Sequence, residues 1–353
     1  MYVVLAILVF GVLIFTHELG HFLTAKLFGV RVNEFAINMG PTLFKKNVGE
    51  TTYSLRLIPI GGFCAMEGED EASDDPRAFT SANAWKRAII LIAGSAMNFL
   101  TGLLVLAIMY SAVTGFTTPQ IVDFYPDCPM NREDGLQVND TLYEIDGRRV
   151  YIYSDVSMLL GRNNTGVYDL TVKRDGKLVR VDNLEMSKRA YEENGQTVYR
   201  YGLYFGYEDA SVGAVLRNTW YTALDFARMV WMSLGDLIKG FVSINDMSGP
   251  VGIVSVIAET GQSAESSAAA AFSIAYLGAF IAVNLAVMNM LPIPALDGGR
   301  VFFLLVNGLV QLVFRRKIDP KYEGYIHAAG MILLLSFIAF VSFKDIWKLI
   351  AGA

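Results

Sequence analysis

The sequence predicts an α-helical polytopic membrane protein with about four transmembrane helices and one inserted, mostly-β (α+β) domain. Three observations predict it. Hydrophobic residues make up 53% of the chain and charged residues only 18%, with a mean hydropathy of +0.39. Four stretches are apolar over the roughly 20 residues needed to cross a bilayer. Between the second and third lies a long polar interval with strand-like alternation. The 353 residues leave room for two domains. The net charge of -5, with no nucleic-acid motif, excludes nucleic acid as an expected partner.

The first apolar stretch covers residues 2–30, and residues 1–16 hold no charged side chain. It lacks a basic leader region and a small-residue cleavage site, so it reads as a retained span rather than a signal peptide. The second stretch is 88–113, the third 268–290 and the fourth 326–343. A further apolar segment, 301–314, is too short to cross and is expected at the interface. Four domains follow: a membrane half at 1–113, an inserted domain at 114–206, an amphipathic brace and connector at 207–267, and a second membrane half at 268–353.

Orientation follows from Lys and Arg. Lys26, Arg31, Lys45, Lys46, Arg56, Arg77, Lys86 and Arg87 lie between the first two spans, and Arg315, Arg316, Lys317 and Lys321 precede the fourth. The positive-inside rule puts both segments in the cytosol and places both termini and the insert outside. Within the insert, residues 121–206 read as a β-rich domain. Apolar alternation surrounds Asp-Gly turns at 146–147 and 175–176, with a short helix near Val156 to Leu160. Residues 212–242 form an amphipathic pattern carrying Arg217, Asp225, Arg228, Asp236 and Lys239, which suits lying along a surface better than spanning. The acidic run at 67–75 reads as a solvated cytosolic loop.

The chemistry concentrates in His-Glu-Leu-Gly-His at 17–21, inside the first span. His17 and His21 are four apart, so a helix stacks them on one face where both can bind one metal ion, with Glu18 beside it as general base. A satisfied pair of buried histidines is the plainer alternative, but ionisable groups at membrane depth are costly and mark function. At about 1.5 Å per residue, His17 lies roughly 22 Å along the span, in its cytosolic half. Catalytic zinc takes three protein ligands and leaves a position for water. The segment after the third span, NMLPIPALDGGR (289–300), exposes Asp297 at the matching depth, because Pro292 and Pro294 break the helix and Gly298 and Gly299 permit a tight turn. Asp297 reads either as third ligand or as N-cap of the next helix. His327, at the start of the fourth span, reads as an interfacial residue. Cys64 and Cys128 fall on opposite sides of the membrane, so neither a disulfide nor a ligand role is expected.

HELGH together with N-x-x-P-x-P-x-LDGG resembles the site-2 protease family of intramembrane zinc metalloproteases, and within it the bacterial RseP/RasP-type group of regulated intramembrane proteolysis. GPTLF (40–44), YSLRLIPIGGFCAMEGE (53–69), AGSAMNF (93–99) and SGPVGI (248–253) carry the likeness along the chain. The insert resembles a PDZ domain through GLQVNDTLYEIDGRRV (135–150), with Asn139 where such domains often have glycine. The resemblance implies one catalytic Zn2+ held by His17, His21 and Asp297, with Glu18 as catalytic acid/base. It implies substrate-binding roles for Asn289 and Asn284, and close packing near the site for Gly94 and Asn98. Its implied partners are single-pass transmembrane proteins such as anti-sigma factors and signal-peptide remnants, in the lipid bilayer of a bacterial inner membrane. Two departures are visible: Ser95 stands where many members have proline, and only one PDZ-like domain fits where some members have two.

Further expectations concern substrate handling. The alternation Tyr53, Leu55, Leu57 within 53–67 is expected to pair its edge with an unwound substrate. The PDZ-like domain either grips new carboxyl termini or excludes bulky ectodomains, the second needing no sequence match. A catalytically silent adaptor binding protein tails is the competing function, and an intact Glu18 speaks against it.

Overall fold

The computed structural model describes residues 1–69, 73–193, 195–241, 248–315 and 320–351. Residues 70–72 of the acidic run, Val242 of the expected brace, and Arg316 and Lys317 of the basic segment lie outside the described residues. The chain divides into a unit of Met1–Leu106 and Phe226–Ala353 and a unit of Ala107–Asp225.

In the first unit, α1 (Tyr2–Leu27) is followed by β1 (Val32–Val48) and β2 (Thr51–Met66), then by α2 (Ala84–Ser111), whose last residues belong to the other unit. No polar side chain caps α1, and its helicity needs none: an apolar run must satisfy every backbone group internally once water is excluded. Glycines set how closely the helices cross. A Cβ on Gly20 would lie 2.3 Å from the Ala93 carbonyl oxygen, and one on Gly102 would lie 2.8 Å from Val283 Cγ2. Small residues at such crossings let helix backbones approach where no hydrophobic force drives them together. Ala25, Val32, Phe35, Cys64, Ile90 and Leu91 form a buried cluster joining α1, the hairpin and α2.

The β1–β2 hairpin is bent. Asn38 and Gly40 have φ of 67° and 83°, and Gly61 has φ of 89°. Residues 51–56 pair with 42–48 on one side while 52–55 pair with 34–37 on the other, and 34–37 in turn pair with 62–65. The result is a four-segment sheet in the order 42–48, 51–56, 32–37, 62–66. The expected pairing edge at Tyr53 and Leu55 is therefore interior to the sheet. The free edge on that side belongs to residues 62–66.

After α4 (Val212–Ile238) come α5 (Pro250–Gln262), α6 (Ser267–Asn289), α7 (Asp297–Phe314) and α8 (Pro320–Ala351). Ser266 caps α6 by accepting from the Ala269 amide. Helix α5 was not expected. Its start is marked by Gly249 at the cap and Pro250 in the first turn, and the amides of Gly249 and Gly252 donate to Asp345 Oδ2 of α8 at 2.8 and 3.0 Å. Among the described residues, five helices are long and apolar enough to cross a membrane: α1, α2, α6, α7 and the body of α8. Helix α7 joins them because it starts at Asp297, four residues before the expected 301, and reaches 18 residues. Large apolar side chains remain exposed along these helices, including Leu8, Leu100, Leu104, Leu305, Leu309 and Leu333. Such an exterior suits hydrocarbon rather than water.

The second unit carries a sheet of order β10-β3-β4-β6-β7, built from β3 (Gly115–Phe124), β4 (Thr141–Ile145), β6 (Val167–Arg174), β7 (Lys177–Glu185) and β10 (Leu203–Asp209). A short β5 (Arg148–Arg149) pairs with β4, and β8 (Arg189–Glu193) with β9 (Gln196–Arg200) form a separate ribbon. Both Asp-Gly turns form as expected, with positive φ at Asp146, Gly147, Asp175 and Gly176. Asn139 sits at φ 75°, a left-handed position that asparagine tolerates far better than most residues, which explains its standing in for glycine. Helix α3 (Tyr153–Leu160) packs on the sheet over Ile121, Leu142, Ile145 and Leu170. Here the apolar side chains point inward. Fully buried Asp140 receives Arg174 Nε and Nη2 at 2.8 Å each. The two cysteines are free and buried.

Candidate metal centre

Helix α1 turns the four-residue spacing into proximity, leaving His17 Nε2 and His21 Nε2 3.2 Å apart. The loop after α6 brings Asp297 Oδ2 to 3.2 Å from His17 Nε2 and 3.4 Å from His21 Nε2. The orientation of His21 is fixed from behind, where its Nδ1 lies 2.8 Å from the Ile90 carbonyl oxygen. A carbonyl can only accept, so Nδ1 carries the proton and Nε2 presents a lone pair to the cluster. Asp297 Oδ2 is buried and receives no hydrogen bond. Two imidazole nitrogens and a carboxylate oxygen thus converge at one point, a donor set of the kind that holds a zinc ion.

The spacing fits zinc. Ligand bonds of about 2.0–2.2 Å at tetrahedral angles put ligand atoms about 3.3–3.5 Å apart, against the 3.2, 3.2 and 3.4 Å found. The N-cap alternative for Asp297 does not hold. Leu296 is the cap residue of α7, no side chain caps the helix, and Asp297 is its first residue. Its carboxylate points to the histidines.

Around this triad the structure brings together Glu18, Gly94 and Asn98. A Cβ on Gly62 would lie 3.5 Å from Glu18 Cγ, so the edge of residues 62–66 faces the centre. Cys64 itself offers no ligand. Burial, then the nearby charges of Glu18 and Glu69, push its thiol well above the usual range and keep it protonated. Gly94 is required by space, because a Cβ there would lie 2.3 Å from His21 Nε2 and 2.8 Å from His17 Cε1. Asn98, only 1% exposed, has its carboxamide 3.1 Å from Thr16 Oγ1 and 3.5 Å from His17 Nδ1. Its amide nitrogen, which can only donate, faces His17 Nδ1, the reverse of the contact between His21 Nδ1 and the Ile90 carbonyl. Asn289 ends α6 and Asn284 lies five residues earlier. Neither makes a side-chain hydrogen bond to the triad among the described residues, so both stand apart from it. Sequence reasoning missed Thr16 and the Ile90 carbonyl. The second is a backbone group, which no residue type advertises.

A model of peptidase family M50 matches residues 5–337. The chain belongs to this family. A Fusobacterium nucleatum protein named as a zinc metalloprotease is 38% identical, over 98% of each chain. A Clostridium perfringens protein with the same designation is 33% identical over 98% of each. A third relative, the regulator of sigma-W protease RasP of Bacillus subtilis, is 26% identical over 98% of each. This M50 protein is a zinc metalloprotease of the site-2 type, carried in a membrane by several apolar helices. The silent-adaptor alternative is set aside.

Proposed function

We propose that this M50 protease cleaves transmembrane segments of single-span membrane proteins, with His17, His21 and Asp297 holding one Zn2+ and Glu18 as catalytic acid/base. The observation that carries the reading is the convergence of His17 Nε2, His21 Nε2 and Asp297 Oδ2 beside Glu18, with both histidines on a helix that reads as a membrane span. Zinc held there supplies Lewis-acid polarisation and lowers the pKa of water towards about 7. Glu18 accepts the proton of the attacking water on its carboxylate and returns it to the leaving amine. Asn289 and Asn284 are the carboxamides proposed to bind substrate, where such a group can donate to the scissile carbonyl.

A substrate helix must unwind to expose its backbone, and the freed groups need partners at once in hydrocarbon. The free edge at 62–66 supplies them beside the centre, by strand addition. Single cysteines at Gly62, Phe63 and Met66, in a chain with Cys64 and Cys128 replaced by serine, test this. Disulfide crosslinks to a substrate cysteine that alternate along the edge support strand addition, and equal crosslinking at every position removes it.

The topology supported by the charge bias has both termini and the insert outside a bacterial inner membrane, with four crossings. Helix α7 then lies along the interface. Its apolar face is exposed at Leu305, Leu309 and Leu312, while Arg300 of its first turn pairs with Glu69 at 2.6 Å. The β-rich insert, whose sheet, helix and Asn139 turn suit a PDZ-like module, acts as a size filter for ectodomains. Given the name of the Bacillus subtilis relative, anti-sigma factors are the first substrates to try, with signal-peptide remnants next. Co-expression of single-span substrates with wild type and with Glu18→Gln decides the matter. Cleavage by wild type alone is expected, and equal processing by both ends the proposal.

A further inference from the structure

The third histidine has no place in the chemistry described so far, yet it contacts the one irregular segment that delivers a ligand. Ala295 lies two residues before Asp297 and has φ of 80°, a left-handed conformation that L side chains rarely adopt. Its neighbour Pro294 has no N–H, so the Ala295 amide is the first donor after the Pro-x-Pro turn. That amide donates to His327 Nδ1 of α8 at 3.0 Å. The His327 ring packs against Phe303 of α7 with centroids 5.4 Å apart. One turn along α8, Gly330 lets the helix approach Pro294. A Cβ there would lie 2.4 Å from Pro294 Cβ and 2.9 Å from its carbonyl oxygen. Residues three apart share a helix face, so α8 presents an imidazole acceptor and a glycine notch side by side to Pro294 and Ala295.

We propose that His327 is a positioning residue for the metal centre: by accepting from the Ala295 amide it holds that residue left-handed and so aims Asp297 at His17 and His21. Because Nδ1 is the acceptor, the ring proton sits on Nε2. His327 lies outside the ligand cluster found among the described residues. The inference rests on the reading of Asp297 as a ligand. It goes beyond that reading by tying a remote helix to the geometry of the site.

The stereochemistry of the acceptor gives a sharp test. Asparagine places its Oδ1 where imidazole has Nδ1, glutamine places its oxygen nearer Nε2, and leucine offers no acceptor. Zinc retention by the full-length protein in detergent micelles is titrated against a chelator, with thermal unfolding as the folding control. His327→Leu and His327→Gln are expected to weaken zinc retention about 10- to 100-fold, the usual effect of removing a group that orients a ligand. His327→Asn should stay within about threefold of wild type. Ala295→Gly, which adopts positive φ without help, should restore retention in the His327→Leu background, an effect that a merely structural histidine would not produce. Wild-type retention in His327→Leu, while Asp297→Ala loses zinc, overturns the inference and leaves the centre intact. So does an Asn variant as weak as the Leu variant. Wild-type retention in Asp297→Ala overturns the centre and this inference with it.

Discussion

Helix α1 and the turn that leads into α7 would supply the proposed metal centre by opposite means. The helix brings two ligands and the base within five residues, using only the periodicity of a regular element. The turn would bring a single ligand, and it carries two prolines, two buried glycines, a left-handed alanine and the His327 contact from α8. A ligand on a regular helix is positioned by its own hydrogen-bonded backbone. A ligand on a turn is positioned by whatever the turn leans on. The two should therefore fail differently.

The largest effects are expected on α1. Glu18→Gln should lower proteolysis by about 10²- to 10⁴-fold, the usual contribution of a general acid–base, with zinc content unchanged. His21→Ala should remove zinc as well, and metal analysis beside a cleavage assay separates the two. Zinc lost in Glu18→Gln would mean that the helix does not divide ligand from base. Next comes the space beside the helix. Gly94→Val should weaken zinc retention at least about 100-fold by displacing both imidazoles. Gly11→Val on the same span, where a Cβ meets nothing within 4 Å, should leave it unchanged.

The loop should respond less steeply. A Cβ on Gly298 would lie 2.3 Å from the Met290 carbonyl carbon, so Gly298→Ala must shift the turn. With the α1 pair intact, about a tenfold loss of zinc affinity is expected by chelator competition. A loss as deep as that of His21→Ala would erase the contrast between helix and turn. The smallest effect on the metal belongs to the β-rich insert. Arg174→Leu strands the buried Asp140 carboxylate and should cost that unit about 3 kcal/mol, seen as a lower unfolding temperature, with zinc retention at the wild-type level.

The same contrast governs what the sequence disclosed. HELGH was legible because a four-residue spacing inside an uncharged run has one geometric meaning. The Asp-Gly turns of the insert were legible because only a few residues adopt positive φ. Asp297 was half legible. Its Pro and Gly neighbours announced a turn at the right depth, but ligand and cap share one composition until the carboxylate is seen facing the histidines. The bend of the β1–β2 hairpin was not legible, since long alternating strands do not announce where they fold back. The pairing edge was expected within 53–67 on the alternation of Tyr53, Leu55 and Leu57, and the part of that segment left at the edge is 62–66. Helix α5 hid behind a Gly-Pro start and a short apolar run, and its anchor Asp345 lies 93 residues beyond Gly252.

Zinc-edge X-ray absorption on the wild-type protein tests the central claim most directly. The account predicts two imidazole nitrogens and carboxylate or water oxygens at about 2.0–2.2 Å, with no sulfur. Scattering from sulfur at about 2.3 Å would bring in Cys64, and a third imidazole would bring in His327. Either result would contradict a centre built from His17, His21 and Asp297.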